Sequence, residues 1–420
     1  MTEMEHINNI LGKIINDGAS FNVAIRSSLK NDKRANDKEF TSLLTSVCGG
    51  YLRHHYSIEA TVKNRFPDLD EQSRQIIGII LSNKLFSKKL DEEKALKAVT
   101  KEHPELEKDI KEFLNSIDKP FQLIPENVNP ESDEYNHYRY NLPLFVAKMW
   151  RKNCKYALGK KLFKTFRERK QHVVRIDTNK ISTEEFYKKY SDYSPLENNV
   201  LAAYSSDASS KKLEPVINGD ALSIHSGYTF ALQDIDIDFV RGVAIYGGDS
   251  NDVLDEIYAL KGNHLKLDYL CGAQKHFFEV HSKIKKYGLS GISVYECPHD
   301  ALRTCISKPV HTLIISPENT AFQKLSEESD YFLKVKQENL DTLIKTQKAC
   351  LEAASDLVEE DGTLVYVLPT LCRNETYGLI KEFLEQHNEF SLEKEVQLFP
   401  FDKYHCMLYF AVLKKEKKND

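Results

Sequence analysis

Apolar positions recur at helical spacing through most of the first 117 residues. INNILGKIIN, EFTSLLTSVCGGYLRHHYSIEATVKNRF, SRQIIGIILSNKLF and EKALKAVTKEHPELEKDIKEFLNSI each place apolar residues three and four apart, the mark of an amphipathic helix. Gly18, Pro67-Asp68 and Ser87 fall where such helices stop or start. The spacing predicts an all-helical bundle of about five or six helices. The next stretch, DKPFQLIPENVNPESDEYNHYRY, is rich in Pro, Asn and acidic residues and loses the period. It predicts a linker.

Helical spacing returns after residue 140. LPLFVAKMWRKNC and ALGKKLFKTFRER turn Leu, Phe and Trp150 to one face and Lys and Arg to the other. HVVRIDT reads as a strand. STEEFYKKY reads as a helix, with Ser182 and Glu185 spaced as a capping box. From about residue 213 strand and helix patterns alternate. The predicted strands are GVAIYG, HLKLDYL, GISVYEC, HTLIIS, GTLVYVLP and MLYFAVLKK. AQKHFFEVHSKIKKYG, TLIKTQKACLEAASDLVEE and TYGLIKEFLEQ are helices between them. Such alternation predicts a doubly wound sheet, and the longer excursion before the last strand predicts an antiparallel part. The expected domains are residues 1–120, a linker at 121–140, a basic module at 141–212 and an α/β domain at 213–420. KKEKKND is a charged tail.

Charge sharpens this division. Residues 148–175 hold eleven Lys and Arg against one acidic residue, Glu168, a net +10; with −5 overall, the rest of the chain carries −15. The cations are Lys148, Arg151, Lys152, Lys155, Lys160, Lys161, Lys164, Arg167, Arg169, Lys170 and Arg175. Charge runs are usually solvated helix faces, but a cationic block in an acidic chain points to a polyanion partner. The eight cysteines form no CxxC pair, so neither a zinc site nor a disulfide framework is indicated. No apolar run spans a bilayer. MTEMEHINN lacks the basic start of a signal peptide. A monomer in the cytoplasm, with no membrane partner, is expected.

The order of parts, with several motifs, resembles the bacterial RsmB (Fmu/Sun) rRNA cytosine methyltransferases. NDKEFTSLLTSVCGGYLR, through Gly50 and Leu52-Arg53, looks like part of that family's N-terminal NusB-like domain. YNLPLFVAKMW matches through Tyr140, Pro143 and Trp150. VVRIDT resembles the family's Arg-Val-Asn-Thr strand, with Asp177 in place of Asn. HSGYTFALQD keeps Gly227 and Gln233-Asp234. TLIKTQKACLEAASDLVEEDGTLVY keeps Gln347, Ala354, Gly362 and Tyr366. The resemblance implies an α+β multidomain chain: an all-helical NusB-like bundle, a basic helix-strand RNA-binding module and a C-terminal Rossmann-like methyltransferase-type α/β domain. It implies RNA, of the rRNA class, as partner. It also allows a protein partner through the helical domain.

The family methylates carbon 5 of cytosine. A cysteine thiolate adds to carbon 6, and the activated carbon 5 then attacks the methyl of S-adenosylmethionine. A second cysteine helps release the product. In this chain the nucleophile position is Pro369, and proline carries no nucleophile. Pro317 survives from the release motif, but Glu318 stands in its cysteine position and Ile315 in its aspartate position. Cys372, three residues beyond Pro369, is the one displaced thiol to weigh; the bland reading is a helix-start cysteine. For the cofactor, Gly247, Gly248 and Asp300 are the residues left to hold S-adenosylmethionine, although Gly247-Gly248-Asp249-Ser250 also reads as an ordinary turn. Cys271 stands where a ribose-binding acid is expected, with Asp268 three residues early. No metal is implied.

Three functions stay open at this point. One is an RNA-binding pseudoenzyme. One is an active RNA cytosine methyltransferase with displaced catalytic residues. One is a protein-interaction scaffold.

Overall fold

A computed structural model describes residues 1–154, 156–167, 172–196, 199–205, 214–224, 226–248, 252–402 and 406–417. By its internal contacts the chain forms two compact units. One is Met1–Gly159 with Lys324–Gln337; the other is Lys160–Gln323 with Glu338–Asp420. No helix among the described residues is long and apolar enough to cross a membrane.

The first unit is helical, as the periodicity predicts, with seven α-helices before residue 117. They are α1 (Glu3–Ile15), α2 (Phe21–Leu29), α3 (Lys38–Leu52), α4 (His55–Arg65), α5 (Glu71–Ser82), α6 (Glu92–Thr100) and α7 (Glu107–Ser116). Local chemistry starts several of them. The Thr2 side chain accepts from the Glu5 amide and Glu5 bonds back, a complete capping box. Asp37, Asp70 and Asp91 cap α3, α5 and α6 through their carboxylates. Ile7, Ile10, Leu11, Leu44, Ile77 and Ile80 form the heart of the core.

Two features of this unit depart from the sequence pattern. The expected linker contains a helix, α8 (Asp133–Tyr140), started by the Ser132 hydroxyl. Asn141 ends it in the left-handed region at φ 52°, a conformation that asparagine tolerates better than most residues. The Asn141 carboxamide then accepts from the Tyr56 amide at 3.1 Å and donates to the Leu52 carbonyl at 2.9 Å. A polar segment therefore folds because it satisfies the junction of α3 and α4. The second feature is the distant segment 324–337. Phe332 is buried in the same helical core. Asp330 accepts from the Phe21 amide at 3.2 Å, a cap that Ser20 does not itself provide.

The second unit contains α10 (Tyr156–Arg167) from residue 160 onward, preceded in the chain by α9 (Leu144–Asn153) of the first unit. Its strands are β1 (His172–Ile176), β2 (Tyr193–Leu196), β3 (Asn199–Ser205), β4 (Ala221–Leu222), β5 (Val243–Gly247), β6 (His264–Cys271), β7 (Ser290–Glu296), β8 (Val310–Ser316), β9 (Val358–Leu368), β10 (Phe390–Leu398) and β11 (Leu408–Lys415). β2-β3-β1-β4 make a four-stranded antiparallel sheet. The remaining strands make a seven-stranded sheet in the order β10-β11-β9-β8-β5-β6-β7. Pairing is parallel from β7 through β9, while β11 runs antiparallel to both β9 and β10. This is the doubly wound sheet with an antiparallel end that the alternation predicts. β5 and β8 are buried at every residue, as central parallel strands covered on both faces should be.

Asn141→Ala is expected to destabilise the helical unit by about 3 kcal/mol, because it orphans two buried backbone groups and puts alanine at positive φ. Urea unfolding of the full chain followed by far-ultraviolet circular dichroism measures this; a loss under ~0.5 kcal/mol contradicts the role given to Asn141.

Candidate functional site

In an open α/β sheet, ligands bind beyond the carboxyl ends of the central strands, where the strand order reverses. Here that point lies between β5 and β8. The backbone itself closes it. The Gly248 amide donates to the Ser316 carbonyl at 2.8 Å, and the Gly272 amide donates to the Gly247 carbonyl at 3.0 Å. A Cβ on Gly248 would stand 2.5 Å from the Glu318 nitrogen and 2.9 Å from the Pro317 carbonyl carbon. Only glycine permits this approach. The loop after β5 thus rests on the loop after β8. Tyr246 is buried beneath, and its phenol would meet a Cβ on Gly272 at 2.8 Å.

The loops after β8 and β9 are joined by a buried carboxyl, that of Glu375, 0% exposed. Its Oε1 accepts from the Thr320 amide at 2.9 Å and from the Gln347 side-chain nitrogen at 2.8 Å. Its Oε2 accepts from the Thr320 hydroxyl at 2.5 Å, which also lies 2.6 Å from the Thr370 hydroxyl. The Tyr366 hydroxyl donates to the Glu375 carbonyl at 3.0 Å. Gln347 donates a further bond to the Glu318 carbonyl at 2.9 Å. One side chain therefore ties the β8 loop, the β9 loop and the helix Leu340–Leu357 together. Burial pushes the Glu375 pKa upward, and the bonds from Thr320 and Gln347 oppose this. Nothing in the sequence motifs singles out Glu375. Its signal is indirect: Gln347 and Tyr366, two residues that carry the family resemblance, both bond to it.

Each residue expected at the site is accounted for within this frame. Pro369 is buried at the end of β9, and its carbonyl accepts from the Gln323 amide at 3.4 Å. Ile315 is fully buried in the sheet core. Glu318 is exposed. Cys372 is 1% exposed, and burial, then the charge of Glu375, pushes its thiol pKa well up. A buried protonated thiol is inert. Cys271 is buried likewise, its pKa pushed up to about 12 by burial. Asp268 is half-buried on β6. Its carboxyl is raised by burial and held by Ser293. Asp300 is exposed in the turn after β7, close enough for its charge to help raise the thiols of Cys297 and Cys350. None of the eight cysteines is in a disulfide. No cluster among the described residues suits a metal.

Two features bear on S-adenosylmethionine at these residues. The Pro317-Glu318 backbone stands where a Cβ on Gly248 would fall. The end of β6 offers the buried Cys271 where a carboxylate is needed for the ribose hydroxyls. Asp249, Ser250 and Asn251 lie outside the described residues.

The cationic block divides in two. Lys148, Arg151 and Lys152 are exposed at i, i+3 and i+4 on α9, opposite the buried Val146, Ala147 and Trp150. Lys160, Lys161 and Lys164 are exposed on α10, opposite Leu162 and Phe163. Arg151 has an acidic neighbour, Asp133, at 3.5 Å, and Lys161 lies over the Phe401 ring. Lys155, Arg169 and Lys170 fall outside the described residues, as does the Arg167 side chain. Arg175 requires a correction. It is 1% exposed, its Nε donates to Glu256 Oε1 at 3.1 Å, and a guanidinium nitrogen donates to the Ile176 carbonyl. Glu256 in turn accepts from the Thr229 hydroxyl at 2.7 Å. Arg175 fastens the four-stranded sheet to the helix Asp252–Lys261 and presents nothing to a polyanion.

Glu375→Ala should cost about 3 kcal/mol, since the Thr320 amide and the Gln347 amide group lose their acceptor in a buried place. Glu375→Gln should cost under ~1 kcal/mol, because the hydroxyls of Thr320 and Thr370 can turn to accept from its nitrogen. Neither variant titrates at this position, so each also reads the pH dependence of the wild-type carboxyl. A carboxyl whose folded pKa is raised contributes most below the unfolded value near pH 4 and loses that contribution as pH rises through the folded value. Wild-type stability relative to Glu375→Gln should therefore fall from acid to neutral pH; a rise would show a carboxyl stabilised in its charged form.

The comparisons with known proteins bear on the fold. Residues 282–406 match the family model described as 16S rRNA methyltransferase RsmB/F. No curated protein matches. Among solved structures, PH0851 superposes with a TM-score of 0.71 at 15% identity, covering 99% of each chain. A methyltransferase homolog protein from Pyrococcus horikoshii gives 0.57 at 12% identity, over 69% of this chain and all (100%) of that one. NSun6 from Pyrococcus horikoshii, solved with SFG, gives 0.55 at 14% identity, over 64% of this chain and 97% of that one. At these identities the superpositions speak for the fold. With the family model over residues 282–406, they make this chain an α+β protein that resembles the RsmB/F rRNA methyltransferases.

Proposed function

We propose that this chain is an RNA-binding pseudoenzyme: it has the architecture of an rRNA cytosine-5 methyltransferase, binds structured RNA of the rRNA class, and does not perform the family's thiolate chemistry. The observation that carries this reading is the state of the strand-end loops. Proline holds the nucleophile position, an exposed glutamate holds the release position, and the loops bearing them are fastened together by Glu375.

The chemistry of cytosine supports the negative half. Carbon 5 reacts only after a thiolate adds to carbon 6. Cys372 is the thiol nearest in sequence to the lost one. It is buried, and the charge of Glu375 disfavours the thiolate further. A glutamate at 318 can move protons but cannot replace the covalent adduct. In this reading S-adenosylmethionine is dispensable.

The positive half rests on the exposed lysines. Lys148, Arg151 and Lys152 form one cationic helix face, and Lys160, Lys161 and Lys164 form another. Each phosphate neutralised releases condensed counterions, so affinity should fall steeply with salt. The net charge of the whole chain is negative, so this attraction must be local. The cytoplasm is the compartment proposed, since it is where such RNA is met.

Filter binding of structured rRNA fragments across salt tests the reading. Replacing Lys160, Lys161 and Lys164 with Glu should weaken binding and reduce the slope of log K against log salt by roughly 2–3. Binding that is absent, or that ignores both salt and the triple substitution, contradicts it.

A further inference from the structure

The two sheets end in the edge strands β10, β7, β2 and β4, and all but one are guarded. β10 carries Glu393, Lys394 and Glu395, with a register shift between Leu392 and Lys394. β2 carries Pro195. β4 is only Ala221–Leu222. Charge, bulge, proline and shortness are the devices that keep an edge from pairing with another chain. β7 lacks them. Its residues Ser290–Glu296 include no lysine, arginine or proline, and its one charge, Glu296, stands at its end. The irregularity in its pairing with β6 lies before Ile292, so Ile292–Glu296 is a regular strand.

The outer side of this strand lies open. Ser293, Tyr295 and Glu296 are exposed, and Ile292 and Val294 are half-buried. Tyr295 is 40% exposed, unusual cover for so large a side chain within a strand. Along an edge strand, alternate residues turn their backbone groups toward the sheet and away from it. The Cys297 amide, directly after β7, donates inward to the Cys271 carbonyl at 2.8 Å. By alternation Tyr295 and Ser293 also bond inward. The amides and carbonyls of Ile292, Val294 and Glu296 then point outward.

The charges flanking β7 are asymmetric. The helix Gln274–Tyr287 leads through Gly288 into the start of the strand, and its last turn carries Lys285 and Lys286. Both are exposed. Glu296 and Asp300 are exposed at the opposite end. The strand therefore has a basic end and an acidic end. A second copy laid antiparallel meets each end with the opposite sign, whereas a parallel copy would set like against like.

We propose that β7 pairs antiparallel with β7 of a second copy of this chain, joining two seven-stranded sheets into one across a two-fold axis. Such a contact is self-complementary and closes at two copies. Centring the axis on Val294 sets Ile292 of each copy opposite Glu296 of the other. Only that register uses all three outward residues of both strands. It also sets each Tyr295 opposite a Ser293, a small neighbour that leaves room for the ring. The dimer stands in place of the monomer expected from the sequence. It is independent of the RNA reading, since it shares no residue with the cationic helices.

The test is sedimentation equilibrium of the full chain after nuclease treatment, at concentrations up to ~100 µM, a range suited to a small strand-edge contact. The average mass should rise reversibly toward that of two chains. Ser293→Lys with Tyr295→Lys places lysines opposite one another in the proposed register and should hold the chain monomeric. Leu392→Lys, on the guarded edge β10, should leave the association unchanged. Lys285→Glu with Lys286→Glu lies off the strand and should weaken it by roughly tenfold or more. All these positions are exposed, so the variants are expected to fold, and circular dichroism checks this. A wild-type chain that stays monomeric throughout overturns the proposal. So does an association that neither lysine at β7 nor glutamate at 285 and 286 weakens, or one that Leu392→Lys abolishes equally.

Discussion

A carboxyl group in the interior is tolerated only where donors surround it. Glu375 meets that condition, and the arrangement of the strand-end loops depends on it. Its two oxygens draw the Thr320 backbone, the Thr320 hydroxyl and the Gln347 side chain to one point, with Thr370 alongside. Those partners belong to the loops after β8 and β9 and to the helix Leu340–Leu357. Gly248 brings a third loop onto Pro317 and Glu318.

A second buried charge does comparable work between the two sheets of the α/β unit. Arg175 on β1 meets Glu256, which also accepts from Thr229. Nearby, the Tyr258 hydroxyl donates to Asp177 at 2.9 Å, and Asn179 donates to the Tyr258 carbonyl at 3.1 Å. Asp177 is the residue that departs from the family's Asn, and here an acceptor suits the phenol that faces it. Removing one partner of such a buried pair leaves an uncompensated charge, so the set persists or is lost together.

Much of the fold was legible in the sequence because its signals are local. Helical spacing, the Ser182–Glu185 capping box and the buried runs of β5 and β8 all follow from residues within one element. What escaped was decided by tertiary partners. α8 lies in a polar stretch without apolar period and exists because Asn141 satisfies α3 and α4. β10 alternates charged residues on an edge, where burial is partial and the pattern weak. β3 pairs with β1, and β2 with β3, without any strong apolar run. Arg175 looked like its cationic neighbours, since a count of charge cannot see Glu256. The site divided in the same way: Pro369 and Glu318 at the positions the resemblance assigns to cysteines are sequence facts, whereas the burial of Cys372 and the role of Glu375 needed the fold.

The central claim is that this architecture binds RNA without methylating it. The direct measurement is transfer of a tritiated methyl group from S-adenosylmethionine to rRNA bound by the full chain, with RNA retention scored in the same sample. The account predicts retained RNA and no label above a protein-free control. Label that accumulates with time, and that Cys372→Ala abolishes, would contradict it.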